Sequence, residues 1–497
     1  MATDRNGRPK QSQLYYHSGV FTLSSGAVIH DPVLCYETYG TYRPEENNVI
    51  LLFHALSGDS HCASHEAGDA PGWWESCVGP GKAIDTDIYF VVCINTLGGC
   101  RGSTGPGSIN PLTNEPYGSA FPGLTIEDMV RFQHLLIKHL GIDTIRCAIG
   151  ASMGGMLALQ WGLTYTDITS GVVVIASAHR LSTQALAFDI VGRNAILHDP
   201  DFHNGNYASL GTVPSKGLAI ARMIGHITYL SPEIMNSKFE SDRFSPRNID
   251  TAFEKLFSVG SYLGYQGDKF VERFDANSYI TLTKAMDHFD LGGTFDTLQK
   301  RFSGNRSNWL FMTFSSDWLF PPAETETCLR AISHNNVSAS YCSFQTGAGH
   351  DAFLLPQVVD DFTPLLQTFI RSASAPGCSC GTKSDSLRQD LAIIRDLIEP
   401  SSSVLDTGCG RGELLEALCE KGCSPLYGID NSRDAVVACI SKGIPAICSD
   451  INDGLGWFAE NSFDYAVLSL TLQAVSNVVG ILNEILRVGR RAVVTFP

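Results

Sequence analysis

The sequence predicts an α/β protein: a largely parallel sheet with helices on both faces, broken by a helical insertion and followed by a smaller α/β unit. Three observations predict it. Short apolar, β-branched runs alternate with helical stretches. A glycine-flanked serine, Ser152, sits where one such strand turns into a helix. A second glycine-rich turn follows another short strand near residue 405.

The elements follow in order. Val49–Phe53 and Tyr89–Ile94 read as buried strands, Ile126–Leu140 as a helix, Ile145–Ile149 as a strand, and a helix begins near Gly154. Gly171–Ala176 is another apolar strand. From about 181 to 300 there are helical segments and polar turns but no buried strand, which predicts a lid over an active site. Strands resume at Trp309–Phe314 and Ser338–Phe344, with a helix after Pro356. Residues 1–371 thus form one unit. The Gly-, Pro- and Ser-rich stretch 372–386 reads as a linker, and 387–497 form a second unit, so the two are expected to fold independently. That second unit opens with helix Leu387–Ile398 and strands Ser403–Leu405 and Leu426–Ile429.

Composition excludes several classes. The chain has 497 residues, 44% hydrophobic and 17% charged, which is globular rather than disordered. Lys+Arg 35 against Asp+Glu 51 gives a net charge of −16, without the basic footprint of a nucleic-acid or anionic-membrane binder. No apolar run reaches the roughly 18–20 residues of a membrane span, and the polar start carries no signal-peptide core. Fifteen cysteines, many in apolar strands (Cys93, Cys147, Cys342), read as reduced thiols. The expectation is a soluble cytoplasmic protein. The pair Cys378 and Cys380 does not match a common zinc spacing.

Gly150-Ala-Ser-Met-Gly154 fits G-x-S-x-G, between an apolar strand and the helical Met156–Trp161. Glycines two before and two after let the chain turn sharply, so the serine Oγ projects above the sheet at a helix N-terminus. A hydroxyl needs a base, and the base an orienting acid. Asp317, after strand Trp309–Phe314, and His350, after strand Ser338–Phe344, supply them in the chain order this turn requires. The oxyanion donors expected are the backbone N–H groups of Leu56, in the loop after the first strand, and of Met153. His54, His61, Cys62 and His65 lie on that same loop without helical ligand spacing, and no metal is expected.

Longer motifs narrow the chemistry. His54-Ala-Leu-Ser-Gly-Asp59, Pro71-Gly-Trp-Trp74, Asn95–Pro106, Gly150–Gly155, Ala221–Ser231, Ser261–Gly267, Arg273–Tyr279 and Gly349–Phe353 occur in one order. In them the chain resembles the homoserine O-acetyltransferase family, of α/β-hydrolase fold, from about Tyr36 to Ile370. The resemblance implies a ping-pong transfer of acetyl from acetyl-CoA to L-homoserine through an acyl-Ser152 intermediate, with no resident cofactor, in a homodimer. It gives Ser152, Asp317 and His350 as the triad. Arg222 and Asp351 become contacts to the zwitterionic substrate, a guanidinium for its carboxylate and a carboxylate for its ammonium. Leu319 and Arg101 stand where succinyl-using relatives differ, which points to acetyl. The alternatives are a homoserine O-succinyltransferase, a serine ester hydrolase of the same fold, or a regulatory protein with a decayed acyltransferase.

In the second unit, Asp406-Thr-Gly-Cys-Gly-Arg-Gly412 joins a strand to a helix, and Asp430 ends the next strand. Such a turn admits a nucleoside closely, and the acid can bond ribose hydroxyls. This resembles class I S-adenosylmethionine-dependent methyltransferases and, through Asp464–Ala474 and Ile485–Arg491, the MetW-type proteins of methionine biosynthesis. Asp406, Gly408, Gly410 and Asp430 take the cofactor-site positions, with Asp450 towards the adenine. About 110 residues are fewer than such a domain ordinarily has, so the expectation is a partial domain that binds S-adenosylmethionine weakly or not at all and transfers no methyl group.

Overall fold

The structure, a computed structural model, describes residues 11–240, 257–373 and 387–496. Cys378, Cys380 and linker residues 374–386 lie outside the described residues. Thirteen strands form one sheet. They are β1 (Gln13–Tyr16), β2 (Val33–Tyr39), β3 (Val49–Phe53), β4 (Phe90–Ile94), β5 (Ile145–Ala151), β6 (Thr169–Ile175), β7 (Asn308–Phe314) and β8 (Ala339–Phe344). After the linker come β9 (Val404–Thr407), β10 (Leu426–Asp430), β11 (Ala446–Cys448), β12 (Phe463–Ser469) and β13 (Gly489–Thr495). Their order is β1-β2-β4-β3-β5-β6-β7-β8-β11-β10-β9-β12-β13. Only β1–β2 and β2–β4 pair antiparallel.

The parallel strands read as unbroken apolar runs because helices cover both faces. All five residues of β3 are buried. Helix α1 (Ile126–His139) begins at Thr125, whose hydroxyl accepts from Asp128 N–H while the Asp128 carboxylate accepts from Thr125 N–H. Helix α2 (Met153–Thr164) is buried on nearly every side against the central strands β3, β5 and β6. Between β6 and β7 the described residues are helical: α3 (Thr183–Leu197), α4 (Ser215–Tyr229), α5 (Ser258–Val271) and α6 (Ala276–Asp287) are the longest pieces. No helix among the described residues is long and apolar enough to cross a membrane.

The two units are not independent sheets. Strand β8 pairs in parallel with β11, Tyr341 opposite Ile447 and Cys342 opposite Cys448. The buried cores on both faces run across this seam. Tyr427, buried in the second unit, donates its hydroxyl to Val337 O (2.9 Å) and accepts from Ala339 N–H (2.8 Å). Ser340 Oγ accepts from Ala446 N–H (3.2 Å), and Arg433 pairs with Asp361 at 2.5 Å. Composition marks a polar linker but carries no sign that two edge strands will meet; an unpaired apolar edge is a liability that such pairing removes. Helix α7 (Pro356–Ser372) also runs one residue into the stretch read as linker.

Tyr427→Phe should therefore leave a buried Ala339 N–H unpaired and cost about 1–3 kcal/mol in urea unfolding. Deleting residues after Arg371 should turn β8 into an open edge and lower both melting temperature and solubility. An unchanged unfolding midpoint in both variants would show that the seam contributes nothing.

Candidate active site

Strands β5, β7 and β8 are parallel, so their C-terminal ends lie at one edge of the sheet and their following turns meet there. Ser152 sits at the β5–α2 turn with φ 58° and ψ −125°, a conformation side chains rarely adopt. A Cβ on Gly150 would strike the Gly154 carbonyl, and one on Gly154 the Phe53 carbonyl, so both positions need glycine. This turn aims Ser152 Oγ at His350 Nε2, 2.9 Å away, while His350 Nδ1 lies 2.8 Å from Asp317 Oδ2. The other Asp317 oxygen accepts from the N–H groups of Leu319 (3.0 Å) and Phe320 (2.9 Å), which locks the carboxylate. All three side chains are buried. With Nδ1–H given to Asp317, Nε2 keeps its lone pair for the serine proton. Burial alone would lower the His350 pKa; the Asp317 carboxylate more than offsets it, and the net shift is upward.

Leu56 lines the same cavity as Ser152, and Met153 opens α2, where N–H groups have no helical acceptor. The loop carrying Leu56 is braced. His54 accepts from Thr96 N–H at Nε2 (3.0 Å) and donates from Nδ1 to Ala55 O (2.8 Å). Asp59 accepts from His61 N–H and lies 3.3 Å from Arg101 Nε, and Arg101 is buried. His61 and His65 approach one buried oxygen, Oε2 of Glu37 on β2, at 2.9 and 2.8 Å, and Tyr39 donates to it as well. These three side chains bring ligand atoms within 4.8 Å of one another. Hydrogen bonds account for the arrangement. Burial would raise the Glu37 pKa, but the histidine and tyrosine donors hold it at about 2, and Glu37 keeps His61 protonated up to about 9. Glu37 went unnoticed in the sequence because its partners lie more than twenty positions on.

The expected substrate contacts sit beside this centre. Arg222 on α4 donates to Ser57 Oγ (3.4 Å) and lies over the rings of Tyr229 and Phe270. Arg273 donates to Ser57 O (2.8 Å) and also lies over Phe270. Neither guanidinium has a carboxylate within ion-pair distance among the described residues. Their charge is felt nearby: burial, then Arg222, Arg273 and Lys238, push the His226 pKa down to about 3, and burial and Arg222 push Arg273 down to about 10. Arg273 is a site residue that the sequence showed only as part of a longer motif. Asp351 follows His350 directly; burial raises its pKa against the pull of His350 and Arg222.

In the second unit, Gly408 and Gly410 adopt φ +76° and +52°, and a Cβ on Gly410 would meet open space. Asp430 Oδ2 accepts from Gly410 N–H (2.8 Å) and Oδ1 from Ser432 N–H (2.9 Å). Asp406 is buried with Oδ1 lacking a partner, and burial and Asp430 raise its pKa to about 7. Asp450 caps its own short helical turn through Asn452 N–H (2.9 Å).

A strained serine, a buried imidazole and a carboxylate on such a sheet define a protein of the α/β-hydrolase class, and residues 48–356 match the family described as alpha/beta hydrolase fold. Residues 388–497 match the family described as methionine biosynthesis protein MetW. The chain is 46% identical over 486 residues to the bifunctional methionine biosynthesis protein MetXA/MetW of Rhodopirellula baltica, across 96% of this chain and 78% of that one. It belongs to that bifunctional family, whose larger part is shared with the homoserine O-acyltransferases. It is 48% identical over 354 residues to the homoserine O-acetyltransferase of Rhodospirillum rubrum (71% of this chain, 90% of that one). It is 45% identical over 381 residues to the homoserine O-succinyltransferase of Alkalilimnicola ehrlichii (76% and 99%). The solved homoserine O-acetyltransferase from Bacillus anthracis superposes with TM-score 0.66 at 27% identity, covering 74% of this chain and 98% of that one. Esterase E22 superposes with the same TM-score of 0.66 and 27% identity (72% and 99%).

If the three groups work as a relay, Asp317→Asn should slow turnover of p-nitrophenyl acetate by about 10⁴-fold. The base must be neutral, so activity falls as pH drops through the His350 pKa. In the wild type that acid limb of kcat/KM should lie above the ordinary imidazole value of about 6.5. An acid limb below that value would remove Asp317 as the group that raises it.

Proposed function

We propose that the protein transfers an acetyl group from acetyl-CoA to the hydroxyl of L-homoserine, giving O-acetyl-L-homoserine and CoA in methionine biosynthesis. The observation that carries this reading is the unbroken hydrogen-bond path from Asp317 through His350 to Ser152 Oγ, opening into a small lidded cavity. His350 Nε2 takes the serine proton as Oγ attacks the thioester carbonyl, and the Leu56 and Met153 amides receive the oxyanion. The collapsing intermediate expels CoA, which leaves as the thiol with the proton from His350. The homoserine hydroxyl then gives its proton to His350 as its oxygen attacks the acetyl-Ser152 carbonyl. Ser152 leaves and recovers that proton. Asp317 holds the imidazole tautomer and stabilises the imidazolium at both stages. Arg222 would hold the substrate carboxylate and Asp351 its ammonium; that neither Arg222 nor Arg273 has a carboxylate partner among the described residues supports an anion seat there.

Acetyl is supported over succinyl by the cavity above Ser152. Leu319 lines it where a cation would be needed for a second carboxylate. Arg101, the nearby cation that could have served, is buried beside Asp59. The lid also limits water at the acyl-serine, which favours transfer over hydrolysis. Exposed Ile190, Val191, Ile220 and Ile227 on the packed helices α3 and α4 support a homodimer through the lid, which sedimentation equilibrium reads directly. Twelve of the described cysteines carry no disulfide, which suits a reducing cytoplasm; the thirteenth, Cys419, is disulfide-bonded, against the reduced state expected of it from the sequence.

The reaction needs no resident cofactor. The second unit could hold S-adenosylmethionine, which supplies an electrophilic methyl group when bound. The buried Asp406 Oδ1, without a partner among the described residues, and the open space beside Gly410 fit its amino-acid end. Asp430 already accepts two backbone N–H bonds, so ribose hydroxyls must share its oxygens, and binding is expected to be weak, with no turnover. Titration calorimetry on the full chain should give a Kd of about 0.1 mM or weaker; micromolar binding would overturn this.

The deciding assay follows CoA release from acetyl-CoA with and without homoserine. Release should depend on homoserine, and acetyl-CoA should exceed succinyl-CoA by about two orders of magnitude in kcat/KM. Arg222→Ala should spare acylation of Ser152 and impair transfer to homoserine. Release matched by free acetate would make the protein an esterase instead, and equal use of both donors would end the acetyl assignment.

A further inference from the structure

Arg273 takes no step in the reaction just described, yet it reaches from the lid to the loop that carries Leu56. It lies in the turn between α5 and α6, and its Nη1 donates to Ser57 O at 2.8 Å. The guanidinium rests over the ring of Phe270, 5.4 Å from its centroid. Arg222 approaches the same residue more loosely, 3.4 Å from Ser57 Oγ. Ser57 O shares a peptide unit with Gly58 N–H, and that N–H donates to Ala55 O (2.8 Å), closing a turn over Ala55–Gly58. Ala55 O in turn shares a peptide unit with Leu56 N–H, and it accepts a second bond from His54 Nδ1 (2.8 Å).

A trans peptide unit is planar, with its N–H opposed to its C=O. Fixing Ala55 O therefore fixes the line along which Leu56 N–H points. Leu56 is buried in the wall of the cavity that holds Ser152, and its N–H has no acceptor among the described residues. A buried amide held without an acceptor is what an oxyanion site requires before the anion forms. Two peptide units thus join the guanidinium to that amide. The bond at Ser57 O keeps the 57–58 unit from rotating, which would swing Gly58 N–H off Ala55 O and free the 55–56 unit. The cation also polarises the chain of bonds: it makes Gly58 N–H a stronger donor, and that bond makes Leu56 N–H a stronger one. Both effects act in the same direction.

We infer that Arg273 is a positioning residue for the oxyanion site: from the lid, through Ser57 O and the Ala55–Gly58 turn, it aims and strengthens the Leu56 N–H. The inference rests on Ser152 being acylated with Leu56 N–H receiving the oxyanion. It goes beyond that reading by giving the lid a part in the chemistry at the sheet edge, apart from the carboxylate seat assigned to Arg222.

Acylation of Ser152 can be read on the full chain without homoserine, as the first-turnover burst of nitrophenolate from p-nitrophenyl acetate. Arg273→Ala should slow that burst by about tenfold to a hundredfold, short of the roughly 10²–10³ lost with an oxyanion donor itself. The same site serves both additions, so transfer to homoserine should slow by a similar factor while the homoserine KM holds. The acid limb set by His350 should stay at its wild-type pH, whereas general loosening of the site would move it. Arg273→Lys keeps the charge and a donor for this single bond, and should recover the burst to within about threefold of wild type. It also serves as the second variant if Arg273→Ala folds poorly. An unchanged burst in Arg273→Ala overturns the inference. A loss confined to the homoserine step overturns it as well, by placing Arg273 in the anion seat beside Arg222. A shifted acid limb, or a folded Arg273→Lys no faster than Arg273→Ala, has the same consequence. No burst from the wild type would instead overturn the acyl-serine reading, and this inference with it.

Discussion

Everything at the active site depends on holding Ser152 in a backbone conformation that its own side chain disfavours. Such a residue costs about 1–3 kcal/mol and persists only where its surroundings over-determine it. Here they do so through the sheet. The Ser152 N–H donates to Ile175 O at 3.0 Å, and the carbonyls of Gly154 and Phe53 lie where only glycine fits at positions 150 and 154. Once Oγ is fixed above the strand ends, parallel pairing of β5, β6, β7 and β8 decides which turns can reach it. Asp317 and His350 arrive from two such turns, and the rings of Phe320 and Phe353 pack against the imidazole.

The lid brings charges of both signs to this edge and keeps them apart. Arg222 and Arg273 converge on Ser57 and depress the basicity of His226, whereas Asp189 lines the cavity above Ser152 and Asp287 accepts from Arg193. In bulk water these groups would be screened; under a lid with little free volume they are not, so sign and position matter more than number. Positive and negative groups thus reach this edge from different parts of the region that holds helices α3 to α6.

The second unit extends the same sheet. Strand β8 would otherwise be an edge of the first unit, and β11 an edge of the second; each hides its unpaired backbone groups in the other. The contact is short in register, but Tyr427 reinforces it by both donating to and accepting from backbone groups across the seam. The two family matches, residues 48–356 and 388–497, therefore describe two ancestries within one continuous core.

Much of the fold was legible because its signals are local. Apolar runs such as Val49–Phe53 act over a few residues, and the strain of Gly150–Gly154 is written in five. The order of Ser152, Asp317 and His350 was also readable, since each follows a strand whose apolar run announces it. Strand ends shifted by one or two residues, as with β6, because pairing with neighbours rather than composition decides where a strand stops. Four things had no local sign: Glu37 beneath His61 and His65, Arg273 beside Arg222, Asp189 in the cavity wall, and the β8–β11 seam. Each joins residues far apart in the chain whose identities are unremarkable alone. Sequence by itself determined the α/β class, the nucleophile turn and the chain order of the relay, because these rest on local sterics and periodicity. Only the tertiary structure decided which charges face the serine and that two sheets become one, because electrostatics and edge pairing act through space and not along the chain.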